Sequence, residues 1–169
     1  LDDTADDLVI GLGSALGTTT HMAFDETGAI TKPLQPAFLV RPASTQDNLA
    51  ASTATDVVFG TEVYDTNADF STPSFTAPVT GRYLLTMQMA FDNIDTGSDF
   101  YSMYITTSNR TYISYNKFGG HDDGYWTFQK AVVADMDASD TAKIVMYQAG
   151  GTGQADVRTD SFFSGCLLA

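Results

Sequence analysis

Helical patterning is almost missing from this sequence, and that constrains the fold more than any other feature. The runs "DVVFGTEVYD", "GRYLLTMQMAF", "FYSMYITT", "RTYISYN", "YWTFQKAVVADM", "AKIVMYQAG" and "SFFSGCLLA" are short and rich in β-branched or aromatic residues. Clusters of Gly, Asn, Asp, Ser and Pro separate them, the punctuation of strands joined by turns. The spacing predicts an antiparallel sandwich. Only "TQDNLAASTA" (45 to 54) has helical composition, and its threonines, serines and asparagine suit a polar loop, so no helix is assigned there.

The stretch "FTAPVTGRYLLTMQM" (75 to 89) shows how such a strand begins. Proline has no backbone donor, so Pro78 belongs at a strand's edge or start, while Gly81 permits a backbone closed to other residues. Beyond them Tyr83, Leu85, Met87 and Met89 alternate with Arg82, Leu84, Thr86 and Gln88. One face is far more apolar than the other, as expected where a sheet packs one side into a core.

At 169 residues the chain fits one domain with a short appendage, and it can bury a core without cross-links. An apolar fraction of 43% and an aromatic fraction of 12% are those of a folded protein. Eight basic against 21 acidic side chains give a formal charge of −13, which would repel phosphate backbones and anionic lipid. Nucleic acid is excluded as a partner on this ground. No run approaches the length of a membrane helix, so no membrane insertion is expected, and the opening "LDDTADDLVIG" has neither a basic region nor an apolar signal segment. A chain that begins at Leu1 is expected to be the processed or trimmed part of a longer one. The single cysteine, Cys166, lies in the apolar setting "FFSGCLLA" and reads as a buried structural thiol.

Composition changes near "ITKPLQPAF". Before it come the acidic "LDDTADD", the small-residue run "GLGSALGTTT" and a hairpin expected through "DETG" (25 to 28). Pro33 and Pro36 stiffen the join. Residues 1–35 therefore form a stem or linker and residues 36–169 the head. The first segment is too small to hold a core alone and must pack on the main body or on copies of itself.

The head resembles the C1q-like domain, the trimeric jelly roll shared with the tumour necrosis factor group. "PAFLV" (36 to 40) is like that family's first strand, and "FGTEVYDTNADFSTPSFTAPVTGRYLL" carries Phe59, Asp65, Phe70, Phe75, Gly81 and Tyr83 in the order of its signature. The gap from Phe70 to Phe75 is two residues short, and Leu85 and Met87 stand where aromatic residues are usual. "ADMDASDTAKIVMY" is similar to the family's turn and strand before the closing pair, with Asp140 at a family turn aspartate. "DSFFSGCLLA", with Phe163 and Gly165, resembles its last strand. The resemblance implies that Phe75, Pro78, Gly81 and Tyr83 form the turn into a central strand of a ten-stranded jelly roll. It also implies a homotrimer, with some aromatic residues buried between subunits, and a threefold assembly would give the stem its missing partners. The join "DDLVIGLGSALG … DETGAITKPLQPAF" resembles the linker that precedes C1q-like heads in virion proteins of tailed bacteriophages.

Catalysis finds little support. His21 and His121 are the two histidines, and no serine sits in a Gly-x-Ser-x-Gly turn. A triad would need His121 beside a serine and an aspartate from unspecified strands; the simpler reading is an exposed loop histidine. Gly11, Gly13 and Gly17 have the wrong third spacing for a dinucleotide loop and lead into "TTTH" rather than a helix.

"NKFGGHDDGYW" places Asn116, Asp122 and Asp123 in a loop rich in oxygen ligands, and in some C1q-like trimers an apical loop holds calcium. A solvated turn is the reading preferred here, with a calcium site at Asp122 and Asp123 as the alternative; no cofactor is required. "DNIDTGSD", with Asp92, Asp95 and Asp99, is a second acidic loop. The sequon "NRT" (109 to 111) matters only in a eukaryotic secretory protein. The stripes "YWTF" and "FYSMY" could stack sugars, although core or intersubunit packing is the plainer reading for Trp126.

The expectation is thus an all-β, ten-stranded antiparallel jelly-roll sandwich of C1q/TNF-like type, homotrimeric, on a short N-terminal β stem. Its expected role is non-enzymatic: the head of a phage tail fibre or spike, on the surface of the virion, binding a host receptor or glycan. The alternatives are a capsid decoration (cement) protein that clamps coat subunits and a secreted bacterial C1q-like surface protein.

Overall fold

The alternation in residues 81 to 89 is realised in the computed structural model, which describes residues 7–14, 18–117 and 124–168. The chain divides into two compact units, Leu1–Pro36 and Ala37–Ala169. The described residues contain strands and turns and no helix.

The first unit is a three-stranded antiparallel sheet of β1 (Leu8–Leu12), β2 (Thr19–Phe24) and β3 (Ile30–Thr31), in that spatial order. The register of β1 on β2 shifts between Ile10 and Gly11, and a side chain at Gly11 would run into the Thr19 carbonyl oxygen. The "DETG" turn joins β2 to β3, with the Asp25 carboxylate accepting from the Thr27 and Ala29 amides at 2.9 and 2.8 Å. The Thr27 hydroxyl beside it, 2.7 Å away, is the first cause holding the Asp25 carboxyl below its ordinary range. Leu8 pairs with Phe24, Phe24 with Ile30, and Ile10 with Met22, so one face of this sheet is apolar up to the register shift after Ile10.

The second unit comprises β4 (Ala37–Arg41), β5 (Thr55–Asp56), β6 (Thr61–Asp65), β7 (Phe70–Ser71), β8 (Ser74–Thr76), β9 (Gly81–Asp92), β10 (Phe100–Thr107), β11 (Thr111–Asn116), β12 (Tyr125–Met136), β13 (Thr141–Ala149), β14 (Asp156–Val157) and β15 (Phe162–Leu167). One sheet runs β12-β9-β15-β4-β6, with β14 also paired to β9; the other runs β11-β10-β13-β8-β7, with β5 paired to β13. Every pairing is antiparallel, and the first strand of the unit lies beside its last, the crossed order of a jelly roll. Twelve strands are present among the described residues rather than ten, because β5 and β14, of two residues each, pair onto longer neighbours.

Between the sheets lies an aromatic core. Phe38 stacks on Phe75 at 4.5 Å between centroids and meets Phe163 edge-on at 5.0 Å; Phe59 and Phe70 close the group. Such pairs add about 0.5–1.5 kcal/mol each beyond the area they bury. A Cβ at Gly165 would approach both Leu85 and Phe38 to 2.8 Å, so only glycine lets β15 cross this cluster.

The corner into β9 has the predicted form. Tyr83 is fully buried, and its hydroxyl donates to the Val79 carbonyl at 2.8 Å, tying the turn that contains Pro78 to the strand it feeds. Burial raises the Tyr83 phenol above its ordinary pKa, so the hydroxyl remains a donor at neutral pH. The segment 45–54 is a loop, pinned where Leu49 is buried and where the Asn48 amide donates to Asp156 at 2.6 Å.

Candidate functional site

The signature residues lie together in the interior. Phe59, Phe70, Phe75, Tyr83 and Phe163 belong to one core cluster, and Gly165 crosses it. Gly81 opens β9, and Asp65 ends β6 with its carboxylate accepting from the Asp69 and Phe70 amides at 3.1 and 2.8 Å. These residues shape the head: the aromatic ones are buried, and Asp65 and Gly81, half-buried, serve turns and strand ends. Function has to be sought on the outer faces of the two sheets.

The outer face of β12-β9-β15-β4-β6 follows from strand parity. Since Tyr83, Leu85 and Met87 point inward, Leu84, Thr86 and Gln88 point out. Register then assembles three cross-strand rows: Val133, Leu84, Cys166 and Ala37; Ala131, Thr86, Ser164, Leu39 and Tyr64; Gln129, Gln88 and Phe162. None of these side chains is charged. Their polar groups satisfy one another in the plane of the sheet: Thr86 and Ser164 share a hydrogen bond of 2.6 Å, and Gln129 donates to Gln88 at 2.8 Å. Tyr64 is 51% and Val133 52% exposed. A cavity of about 380 Å³, bordered by Thr86, Met87, Gln129, Lys130, Ala131 and Phe162, opens on this face, with a shallower one of about 90 Å³ beside Tyr64 and Leu84. A wide, uncharged, internally satisfied surface with hollows loses little on desolvation, which is the requirement for a large protein interface.

Cys166 corrects the sequence reading. It is half-buried on this outer face rather than in the core, because Phe163 and Gly165 take the inward positions of β15 and parity turns the thiol outward. Trp126 also lies outside the head's own core, 40% exposed near the start of β12. Lys130 departs in the other direction. It occupies an inward position of β12, where its ammonium donates to Ser114 on β11 at 2.9 Å and burial lowers its pKa.

The outer face of β11-β10-β13 differs in kind. Its rows are Tyr115, Ser102 and Tyr147; Ile113, Tyr104, Val145 and Asp56; Thr111, Thr106, Lys143 and Ser74. Phe100 meets Tyr115 edge-on at 5.4 Å and Tyr147 at 6.1 Å. Lys143 and Asp56, the charged members of these rows, pair at 2.8 Å.

In the acidic loop 92–99 two of the three carboxylates are engaged within the protein. Asp92 pairs with Arg158 at 2.8 Å, and Asp95 accepts from the amides of Gly153, Gly97 and Thr152, each at 2.7 Å. The Gly153 and Gly97 amides, in that order, hold the Asp95 carboxyl below its ordinary range. Among the described residues no group of three His, Cys, Asp or Glu could hold a metal ion. Asp122, Asp123 and His121 lie outside the described residues. His21 is exposed on β2, and the Asn109 amide of the "NRT" sequon is engaged by Asp140 at 2.8 Å.

No protein-family model and no curated protein sequence matches the chain. Solved structures do. The globular domain of zebrafish complement 1qA protein superposes with a TM-score of 0.59 at 18% identity, covering 80% of this chain and 98% of that one. Murine APRIL superposes with a TM-score of 0.57 at 16% identity in a crystal at pH 8.0, and 0.58 at 14% at pH 5.0, each covering 79% of this chain and 99% of that one. The likeness is one of fold, and the chain carries a C1q/TNF-like jelly roll.

Proposed function

We propose that the chain is a non-enzymatic homotrimeric binding head, the outer domain of a phage tail fibre or spike, displayed on the virion surface and engaging the host cell. The observation that carries the trimer is the uncharged face of β12-β9-β15-β4-β6. Charge borders its central rows: Arg82 and Asp135 face each other at one end of β9 and β12, Asp92 ends β9 at the other, and Arg41 ends β4. Leu8, Ile10 and Ile30, each at least half exposed on the apolar face of the first unit, support the same reading, because three copies on one axis would supply what a three-stranded sheet lacks. Weak contacts to a cell surface would be multiplied by threefold presentation.

The virion assignment rests on the phage-like join before residue 36, and it is tested by adding the isolated protein to intact host cells and to stripped virus shells. Binding to cells together with competition against infection is the expected result. Binding to shells alone would assign the trimer to capsid decoration instead, and binding to neither would remove the virion role. Calcium is not required for this role; bound at Asp122 and Asp123, it would act only to brace a loop.

A further inference from the structure

We infer that the outer face of the β11-β10-β13 sheet binds an uncharged carbohydrate, with a sugar ring stacked on Tyr115 beside Phe100 and Tyr147. The inference rests on the reading of the chain as a binding head, and not on whether it rides on a tail or a shell. Tyr115 is 64% exposed, yet its ring is oriented by the edge-on contact with Phe100 at 5.4 Å, at an interplanar angle of 74°. Phe100 is itself braced by Tyr147 at 6.1 Å. Ser102 lies fully buried between the two tyrosines in its row and donates to the Tyr104 hydroxyl at 2.8 Å. The result is a platform of fixed rings with phenol hydroxyls along it.

Charge selects the occupant. A pyranose offers C–H groups to an aromatic face and hydroxyls to polar groups at its edge, and it needs no ion pair. Lys143, the cation within these rows, is neutralised by Asp56 at 2.8 Å; Lys117 is exposed just beyond the end of β11, but the chain as a whole carries a net charge of −13, which disfavours an anionic ligand. A protein partner of the kind expected on the opposite face is less well matched, since the apolar row Ile113, Tyr104 and Val145 ends at the charged Asp56 and its Val145 is buried.

The test uses the full chain in calorimetric titrations with neutral oligosaccharides ending in glucose, galactose, mannose or N-acetylglucosamine, with sialyllactose as the anionic control. At least one neutral sugar should bind. Tyr115→Phe should retain the affinity, and Tyr115→Ser should weaken it about three- to tenfold. Absence of binding by every neutral sugar, preference for sialyllactose, or unchanged affinity in Tyr115→Ser would overturn the assignment. So would a change of mass in Tyr115→Ser by light scattering, which would make this face a subunit contact. Cell binding separates the two readings: a wild type and a Tyr115→Ser variant that bind cells equally would sink the sugar site and leave the head reading standing. Sugar binding that depends on Tyr115 in a protein that ignores cells would do the reverse.

Discussion

The two outer faces of the sandwich share one interior and differ in almost everything else. Across β12, β9 and β15 the central rows carry apolar, hydroxyl and amide side chains, uncharged, with hydrogen bonds between Thr86 and Ser164 and between Gln129 and Gln88. Across β11, β10 and β13 they are aromatic, with an ion pair at Lys143 and Asp56. An interface between copies of a chain needs area that can be dried without leaving a buried charge, and the first face offers it. A platform for small ligands needs a few rigid rings with polar edges, and the second offers that.

The largest expected effect comes from the shared interior. Phe163→Ala should cost about 3–5 kcal/mol of unfolding free energy in chemical denaturation, because the ring contacts Phe38, Phe59 and Phe70 and its removal leaves a cavity between both sheets. Assembly and ligand binding should fall together. A single-face substitution should separate them. Val133→Lys places a charge in the uncharged rows at a position 52% exposed, so the subunit should fold normally while self-association weakens by about a hundredfold or more in sedimentation. If Val133→Lys leaves the mass unchanged, the contrast between the faces has been misread.

Smaller effects come from the loops. Asp95→Ala removes the acceptor of three amides from two loops and should cost about 1–3 kcal/mol. Since the folded carboxyl titrates below its ordinary value, its contribution is complete above the unfolded carboxylate range and is lost as pH falls through the folded value. The gap between Asp95→Ala and wild type should therefore close in acid melts. Asp69 should behave oppositely. Burial raises its pKa, and one of its carboxylate oxygens is buried without a hydrogen-bond partner. Its ionisation therefore costs stability as pH rises through the folded value, and Asp69→Asn should raise the melting temperature slightly at neutral pH and lose that advantage in acid. Asp92 is committed to Arg158 and Asp95 to three backbone amides, so a shift in melting on adding a chelator would trace to calcium at Asp122 and Asp123, and an unchanged melt would remove that site.

The sequence revealed most where its signals were local. The strand polarity of residues 81 to 89 and the turn at Pro78 and Gly81 follow from a period of two and from two residues with special backbones, and both are present. Signals carried by distant partners were not legible. The sequence showed Asp92 and Asp95 only as part of an acidic loop; their distant partners Thr152, Gly153 and Arg158, 57 to 66 positions away, are not legible in it. The apolar neighbours of Cys166 suggested burial, but which way a residue points depends on the parity fixed by Phe163 and Gly165. Lys130 sits inward because one ammonium can reach Ser114 across the gap, and no pattern in "YWTFQKAVVADM" announces that. The strands β5 and β14, two residues each, are too short to have a period at all.

The central claim is that the uncharged face is covered by further copies of the same chain. Light scattering of the isolated protein at micromolar concentration should return three times the 18.1 kDa chain mass. A mass of one chain under those conditions would contradict it.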